Sequence, residues 1–307
     1  MHISVLLNES IEGLNLKENG IYVDCTLGYA GHSSEILRRV RRGHLFAIDQ
    51  DKDAINYSQK KLSEIGDNFT IIKSNFSCLK KELNERNVEF VDGFLFDLGV
   101  SSVQLDETDR GFSFHNDAKL DMRMDQDAKL TAYDVINTYS ESKLREIFFK
   151  YGEEKYSGSI AKNIVKYRNT KKIETTLELV DIIQNSVPMK VRREHHPARR
   201  VFQAVRIEVN HELDILEGAL KDALSMLNVG GRICVITFHS LEDRIVKNVF
   251  KEYTLVDPKV KGLPDIPSFY LPNFRLVNKD VIIPSDVELA NNNRSRSAKL
   301  RIIERIK

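Results

Sequence analysis

Residues 20–51 constrain the fold of this chain more than any other stretch: GIYVDCTLGYAGHSSEILRRVRRGHLFAIDQD. Residues 21–26 are rich in strand formers, and residues 27–32 make a turn carrying Gly28 and Gly31. Ser33 is placed to cap a following helix, with Ile36, Leu37 and Val40 on one face. Residues 45–48 form a second apolar strand, and Asp49 stands at its end. Strand, glycine turn, helix, strand and acid together make the unit that holds the adenosine part of a nucleotide-like cofactor. Glycines let the backbone approach the ligand, the helix N-terminus favours its anionic end, and the acid bonds the ribose hydroxyls.

The loop narrows the choice of cofactor. A dinucleotide fingerprint needs G-x-G-x-x-G, whereas this loop offers only Gly28-Tyr29-Ala30-Gly31. S-adenosylmethionine carries no phosphate; it presents a carboxylate, an ammonium, a sulfonium and an adenosine, which suit a looser loop beside a polar residue such as His32. An ordinary α/β turn without a ligand is the alternative, and the loop by itself leaves both open.

At 307 residues the chain makes one large or two modest domains. A hydrophobic fraction of 41% and a charged fraction of 30% describe a soluble globular protein. No apolar run approaches the roughly 18 residues of a membrane helix, so no membrane partner is expected. Residues 1–16 show neither a basic leader nor a small-residue cleavage site. The cysteines Cys25, Cys78 and Cys234 form an odd set without a C-x-x-C pair, which points to free thiols in a reducing cytoplasm. Net charge of +1 says little, but its distribution is uneven. Residues 97–127 are rich in acids, and residues 190–206 carry Lys190, Arg192, Arg193, Arg199, Arg200 and Arg206 beside His195 and His196. That cluster is either a phosphate footprint for nucleic acid or a solvated helix face.

Beyond the opening unit, residues 53–65 read as a helix and 69–72 as a third strand. Phe76 follows that strand's carboxyl end, where it either stacks on an adenine or packs the core. Residues 79–86 are helical, and 91–98 make a fourth strand ending in Asp97. Residues 106–127 are polar and loop-like; no spacing among their acids matches a metal cage, so no metal is expected. Helical patterns then run at 132–138, 142–150, 159–167 and 177–186 without a strand signal. Phe148 and Tyr151 are rings that either stack bases or pack the core. The α/β pattern resumes with a long helix ending near 227 and closed by Gly230-Gly231. A fifth strand at 232–238 leads to His239-Ser240 and a helix at 241–250. A proline-rich loop crossed by short strands precedes a last strand, 298–303, alternating like an edge or antiparallel strand.

The chain resembles the bacterial family of methyltransferases that modify the N4 amino group of a cytidine in 16S ribosomal RNA. HISVLLNES, GYAGHS, DLGVSSVQLD, RGFSF, LDMRMD, YGEEK, HPARRVFQAVRIEVNHEL, FHSLEDRIVK and NRSRSAKLR carry the resemblance nearly end to end. It implies a Rossmann-like class I methyltransferase: an α/β fold whose mostly parallel sheet ends in an antiparallel strand, with an inserted helical domain. The catalytic domain would comprise residues 1–104 and 205–307, and the RNA-recognition insert residues 105–204. S-adenosyl-L-methionine would be held by Ala30, Gly31, His32, Asp49, Phe76, Asp97 and Gln104. Ala30 stands where the family usually has glycine, which implies an ordinary φ there. The partner would be 16S rRNA, in its decoding region, or the assembled small ribosomal subunit, and not DNA.

The reaction this implies is in-line methyl transfer from a sulfonium to a cytosine amine whose lone pair is delocalised into the ring. An acceptor on the amine N–H helps to localise that pair, and positioning supplies the rest. Asp97 is the candidate for orienting the amine, for contacting the cofactor, or for both. His239, with Ser240, is a candidate for cytosine contact or proton removal, or else a satisfied strand-end pair. A non-catalytic RNA-binding assembly factor and a nucleotide-dependent oxidoreductase are the competing functions.

Overall fold

The computed structural model describes residues 4–101, 104, 107–194, 196–256, 260 and 265–307. His195 lies outside them. The chain divides into two compact units, Met1–Gly99 with Leu213–Lys307, and Val100–Glu212.

The first unit is built on a seven-stranded sheet: β1 (Ile21–Asp24), β2 (His44–Asp49), β3 (Phe69–Lys73), β4 (Val91–Asp97), β5 (Leu227–Thr237), β6 (Phe274–Leu276) and β7 (Lys299–Arg305). Their spatial order is β3-β2-β1-β4-β5-β7-β6. β1 to β5 pair in parallel, and β7 runs antiparallel to both β5 and β6. This is the Rossmann-like arrangement that the sequence led us to expect.

The strands read as continuous apolar runs because both faces of the sheet are covered. Val23, Phe46, Ile48, Phe94, Phe96, Ile233 and Val235 belong to one core, with Leu216, Leu220 and Leu224 of the helix Glu212–Ser225 and Val246, Val249 and Phe250 of the helix Ser240–Thr254. The alternate residues Tyr22, Leu45, Ala47, Leu95, Cys234 and Ile236 belong to the opposite core, with Ile11 and Leu14 of the helix Leu7–Leu14 and Ile36 and Leu37 of Gly31–Arg39. A period of two thus sorts each strand between two cores. Phe96 is fully buried, so truncating it to alanine should cost about 3–5 kcal/mol.

One expectation about the sheet needs correction. Gly230-Gly231 does not close the preceding helix, which ends at Ser225; both glycines lie inside β5. The β4–β5 register shifts there, between Val91↔Leu227 and Gly93↔Arg232, and Gly230 takes φ +81°. The glycines serve a bulge, the other role that glycine fills within a strand. The last strand is antiparallel, one of the two forms its alternation allowed, and the three-residue β6 pairs with its outer side.

The second unit is helical: Ala132–Thr138, Glu141–Lys150, Ser157–Arg168, Thr176–Asn185, Met189–Glu194 and Ala198–Asn210. Capping boxes start two of these helices, Thr131 with Asp134 and Thr175 with Glu178. Leu144, Ile147, Phe148, Ile160, Ile164, Leu179, Ile183, Val201 and Val205 are buried. Phe148 and Tyr151 are buried too, which makes them packing residues and not exposed base-stacking rings. The polar stretch before these helices is pinned from within. Arg110 donates to the carbonyls of Arg123 and Met124, Arg123 pairs with both oxygens of Asp121, and Asn210 donates to Met122 O while accepting from Met124 N.

Candidate active site

In an open parallel sheet ligands bind beyond the carboxyl ends of the strands, at the point where strand order reverses. Here that point lies between β1 and β4. The turn after β1 enters the helix Gly31–Arg39 through Ala30, whose φ is +53°. This corrects the ordinary φ expected of an alanine. Ala30 N donates to Leu27 O, while its carbonyl accepts from Ser34 N and Ser34 Oγ, so the helix entry over-determines a left-handed residue. An L residue there costs roughly 1–2 kcal/mol relative to glycine. Gly31 is needed for space and not for φ: a Cβ on it would stand 1.7 Å from Ser4 Oγ. Ser33 does not cap the helix; its hydroxyl donates to Asp24 Oδ2 at 2.6 Å.

Asp49, at the end of β2, accepts from Gly28 N at 2.8 Å and from Asp51 N at 2.9 Å. Each carboxylate oxygen keeps a second acceptor site, which is what a pair of ribose hydroxyls needs. Burial, assisted by the nearby charges of Asp51 and Asp24, pushes its pKa up to about 6 against those two hydrogen bonds.

Asp97, at the end of β4, is joined to the glycine turn by its own backbone, whose N–H donates to Thr26 Oγ1 at 2.7 Å. Its Oδ2 lies 3.7 Å from Nδ1 of the buried His32, and His32 Nε2 is 3.1 Å from Val5 O. Asp97 Oδ1 is buried without a hydrogen-bond partner among the described residues. Burial first, then the fields of Asp24 and Glu242, hold this carboxyl well above the usual range. An unpaired buried oxygen costs about 1–3 kcal/mol, an expense characteristic of sites built to receive a donor or a cation. Asp24, in sequence an ordinary strand residue, is buried and accepts from Ser33 Oγ and Thr26 N. Its position at the carboxyl end of the first strand was the available signal.

Phe76 opens a short 3-10 turn after β3, capped by Asn75, and packs edge-on against Phe96 at 5.9 Å. Asn75 Nδ2 donates to Gln50 Oε1, which ties the ends of β2 and β3 together. The first unit therefore holds Ala30, Gly31, His32, Asp49, Phe76 and Asp97 around neighbouring strand ends and the turns that leave them. Gln104 belongs to the second unit, where its Oε1 accepts from Ser101 N and its own N–H donates to Ser101 Oγ.

His239 and Ser240 follow β5, and the histidine is the N-cap of the helix Ser240–Thr254. His239 Nδ1 accepts from Glu242 N, and Nε2 stands 3.0 Å from Glu242 Oε1. Nδ1 therefore serves the helix start, whereas Nε2, although close to Glu242 Oε1, is buried without a hydrogen-bond partner among the described residues. Both readings left open by the sequence therefore stand: the ring caps the helix through Nδ1 and keeps Nε2 unpaired.

The basic stretch lies in the second unit. Lys190, Arg192, Arg193, Arg199 and Arg200 are exposed on the helices Met189–Glu194 and Ala198–Asn210. Arg206 differs: its guanidinium is part-buried and forms a two-pronged pair with Glu212 at 2.8 and 3.0 Å. Its charge is spent inside the protein, which takes it out of the expected phosphate footprint.

A model of the MraW methylase family matches residues 1–306. The chain belongs to this family. It is an S-adenosylmethionine-dependent methyltransferase acting on a cytosine N4 of 16S rRNA. Among solved structures it is similar to an rRNA methylase from Streptococcus thermophilus, at 12% identity over 100% of both chains with a TM-score of 0.47. It is also similar to a putative rRNA methylase from Clostridium thermocellum, at 15% identity over 100% of both chains and a TM-score of 0.47. A third, a putative methyltransferase from Streptococcus mutans in complex with SAH, shares 14% identity over 99% of each chain at a TM-score of 0.43.

The strand-end residues fit the cofactor of an MraW methylase. Asp49 offers acceptors suited to a ribose, and the buried, unpaired Asp97 Oδ1 suits a donor or a positive charge. Among the described residues no group of three or more His, Cys, Asp or Glu side chains is placed to hold a metal, and no helix is long and apolar enough to cross a membrane.

Proposed function

We propose that the strand-end cluster of the first unit is the S-adenosylmethionine site, and that the helical second unit recognises RNA in the decoding region of the assembled small subunit. The buried, unpartnered Oδ1 of Asp97 is the observation that carries the site assignment. The cofactor supplies a methyl group already activated on a sulfonium, so the protein's work is chiefly positioning and exclusion of water.

Asp49 would accept the ribose hydroxyls, and Phe76 would lie along the adenine. Ala30, Gly31 and His32 would line the amino-acid end. Asp97 would accept an N–H of the cofactor's ammonium and, as the candidate catalytic group, fix the orientation of the amine. A nearby positive charge draws its raised pKa down, so the carboxyl is an acceptor when the site is loaded. Lys190, Arg192, Arg193, Arg199 and Arg200 would take the phosphates. The free thiols Cys25, Cys78 and Cys234 suit a cytoplasmic setting.

Two measurements test this reading. Calorimetric titration of Asp97→Asn with S-adenosylmethionine should show a dissociation constant at least tenfold weaker; unchanged affinity would remove Asp97 from the site. Labelled methyl incorporation into free 16S rRNA and into purified small subunits, mapped by mass, should favour the particle. Equal incorporation into both would reject the particle as the required substrate.

A further inference from the structure

In the second unit a set of rings lies beside the basic helices. Phe114 sits at its centre. Its ring is 4.3 Å from that of His115, and 4.7 Å from that of His196 with the planes inclined by 31°. It meets Phe202 edge-on at 5.7 Å, and Phe202 is buried in the helix Ala198–Asn210, which anchors the group to a rigid element. His115 and His196 stand 5.7 Å apart with their planes inclined by 65°. Phe114 and His196 are part-exposed and His115 is exposed, so these three rings reach solvent.

Two features set this group apart from ordinary packing. His196 Nδ1 is buried without a hydrogen-bond partner among the described residues, an expense that a purely structural histidine avoids. Burial, and then the proximity of His115, hold the His196 ring below the usual imidazole range, so it is neutral at neutral pH and presents one donor and one acceptor. His196 also lies between the helix Met189–Glu194 and the helix Ala198–Asn210, within four residues along the chain of Arg192, Arg193, Arg199 and Arg200. Aromatic faces together with flanking guanidiniums are the combination that binds single-stranded nucleic acid: rings for the bases, cations for the backbone.

We infer that Phe114, His115 and His196 form a nucleobase platform, on which an unpaired nucleotide of the substrate RNA stacks while the neighbouring arginines hold its phosphates. This rests on the RNA-directed role proposed for the second unit, and it identifies the side chains that contact a base there. The exposed His115 and part-exposed Phe114 supply the stacking faces. His196 supplies a hydrogen bond to a base edge.

The test compares two probes of equal charge, a uridine decaribonucleotide and an abasic ribose-phosphate decamer, binding to the full chain at fixed salt by fluorescence anisotropy. The unaltered protein should prefer the base-bearing strand. His115→Ala, which changes an exposed ring, and Phe114→Leu, which keeps an apolar contact on Phe202, should each lower that preference about fivefold or more and leave abasic binding unchanged. Arg192→Gln with Arg193→Gln should weaken both probes alike. If both ring variants keep the full preference, or lose affinity for both probes equally, the platform is refuted. Methyl incorporation into small-subunit RNA by the unaltered protein is measured in parallel. Its absence would overturn the RNA-directed reading itself, whereas normal incorporation with undiminished preference in the ring variants overturns the platform alone.

Discussion

The backbone N–H of Asp97 donates to the hydroxyl of Thr26 at 2.7 Å, so the end of β4 is fastened to the turn that leaves β1. The acid's position therefore depends on a neighbour that touches no reacting atom. Thr26→Val keeps the shape and removes the acceptor, leaving the Asp97 N–H without its hydrogen bond. Chemical unfolding should report a loss of about 1–3 kcal/mol. Cofactor affinity should fall severalfold through displacement of Asp97, and Thr26→Ser should restore both. A valine variant with unaltered cofactor affinity would show that this tie does not position the acid.

Ala30 gives a second prediction, because its φ of +53° is imposed by the turn and its side chain is fully buried. Ala30→Gly relieves the left-handed strain, about 1–2 kcal/mol, but adds chain entropy and removes a buried methyl. These terms nearly cancel, so urea denaturation should show a change below about 1 kcal/mol. Ala30→Val should cost more than about 2 kcal/mol, since a branched residue at positive φ must also fit a filled space. A valine variant as stable as the parent would mean that the turn can relax to an ordinary φ.

These two residues also show how far the sequence could be read. Asp49 and Asp97 were legible because strand-end position is a property of the hydrophobic pattern, which the two-faced core imposes directly. The mostly parallel sheet with an antiparallel last strand was legible through the resemblance, but the seven-strand order was not, since β6 is three residues long and carries no periodicity of its own. The backbone state of Ala30 could not be read, because alanine has no preference for the left-handed region and only the hydrogen bonds of the helix entry enforce it. The same holds for Gly230-Gly231: a glycine pair ends helices and bulges strands alike, and pairing with β4 decides between them. Ser33 and Arg206 illustrate a third kind of difference. A capping-type serine and a surface-type arginine were each recruited by an acid, Asp24 and Glu212 respectively, whose location depends on tertiary structure.

The pKa of Asp49, pushed up to about 6, has a definite sign. The folded protein holds this proton more tightly than the unfolded chain, whose carboxyl titrates near 3.8. Ionising Asp49 therefore opposes folding, and its contribution to stability falls as pH rises from about 4 to about 6, then levels off. Asp49→Asn should abolish that part of the stability–pH curve. Cofactor binding should run the opposite way, since ribose hydroxyls favour the ionised acceptor: the dissociation constant should weaken progressively below pH 6. A dissociation constant flat from pH 5 to pH 8 in the parent protein would contradict the role given to Asp49.

Arg206 and its exposed neighbours should separate cleanly in experiment. The Arg206–Glu212 pair is largely screened from solvent, with side-chain exposures of 16% and 11%, so Arg206→Ala leaves a poorly solvated carboxylate behind. Removing one partner of such a pair costs up to about 3 kcal/mol, and thermal unfolding should show most of that loss. RNA affinity per folded molecule should hardly change, because this guanidinium is already engaged. Arg193→Gln and Arg199→Gln should behave conversely, with stability within about 0.5 kcal/mol of the parent and weaker binding to single-stranded RNA. Each lost phosphate contact should also flatten the plot of log affinity against log salt by about 0.7. If Arg206→Ala flattened that slope as much as the exposed variants do, the ion pair would have to open in the complex, and the arginine would return to the phosphate footprint.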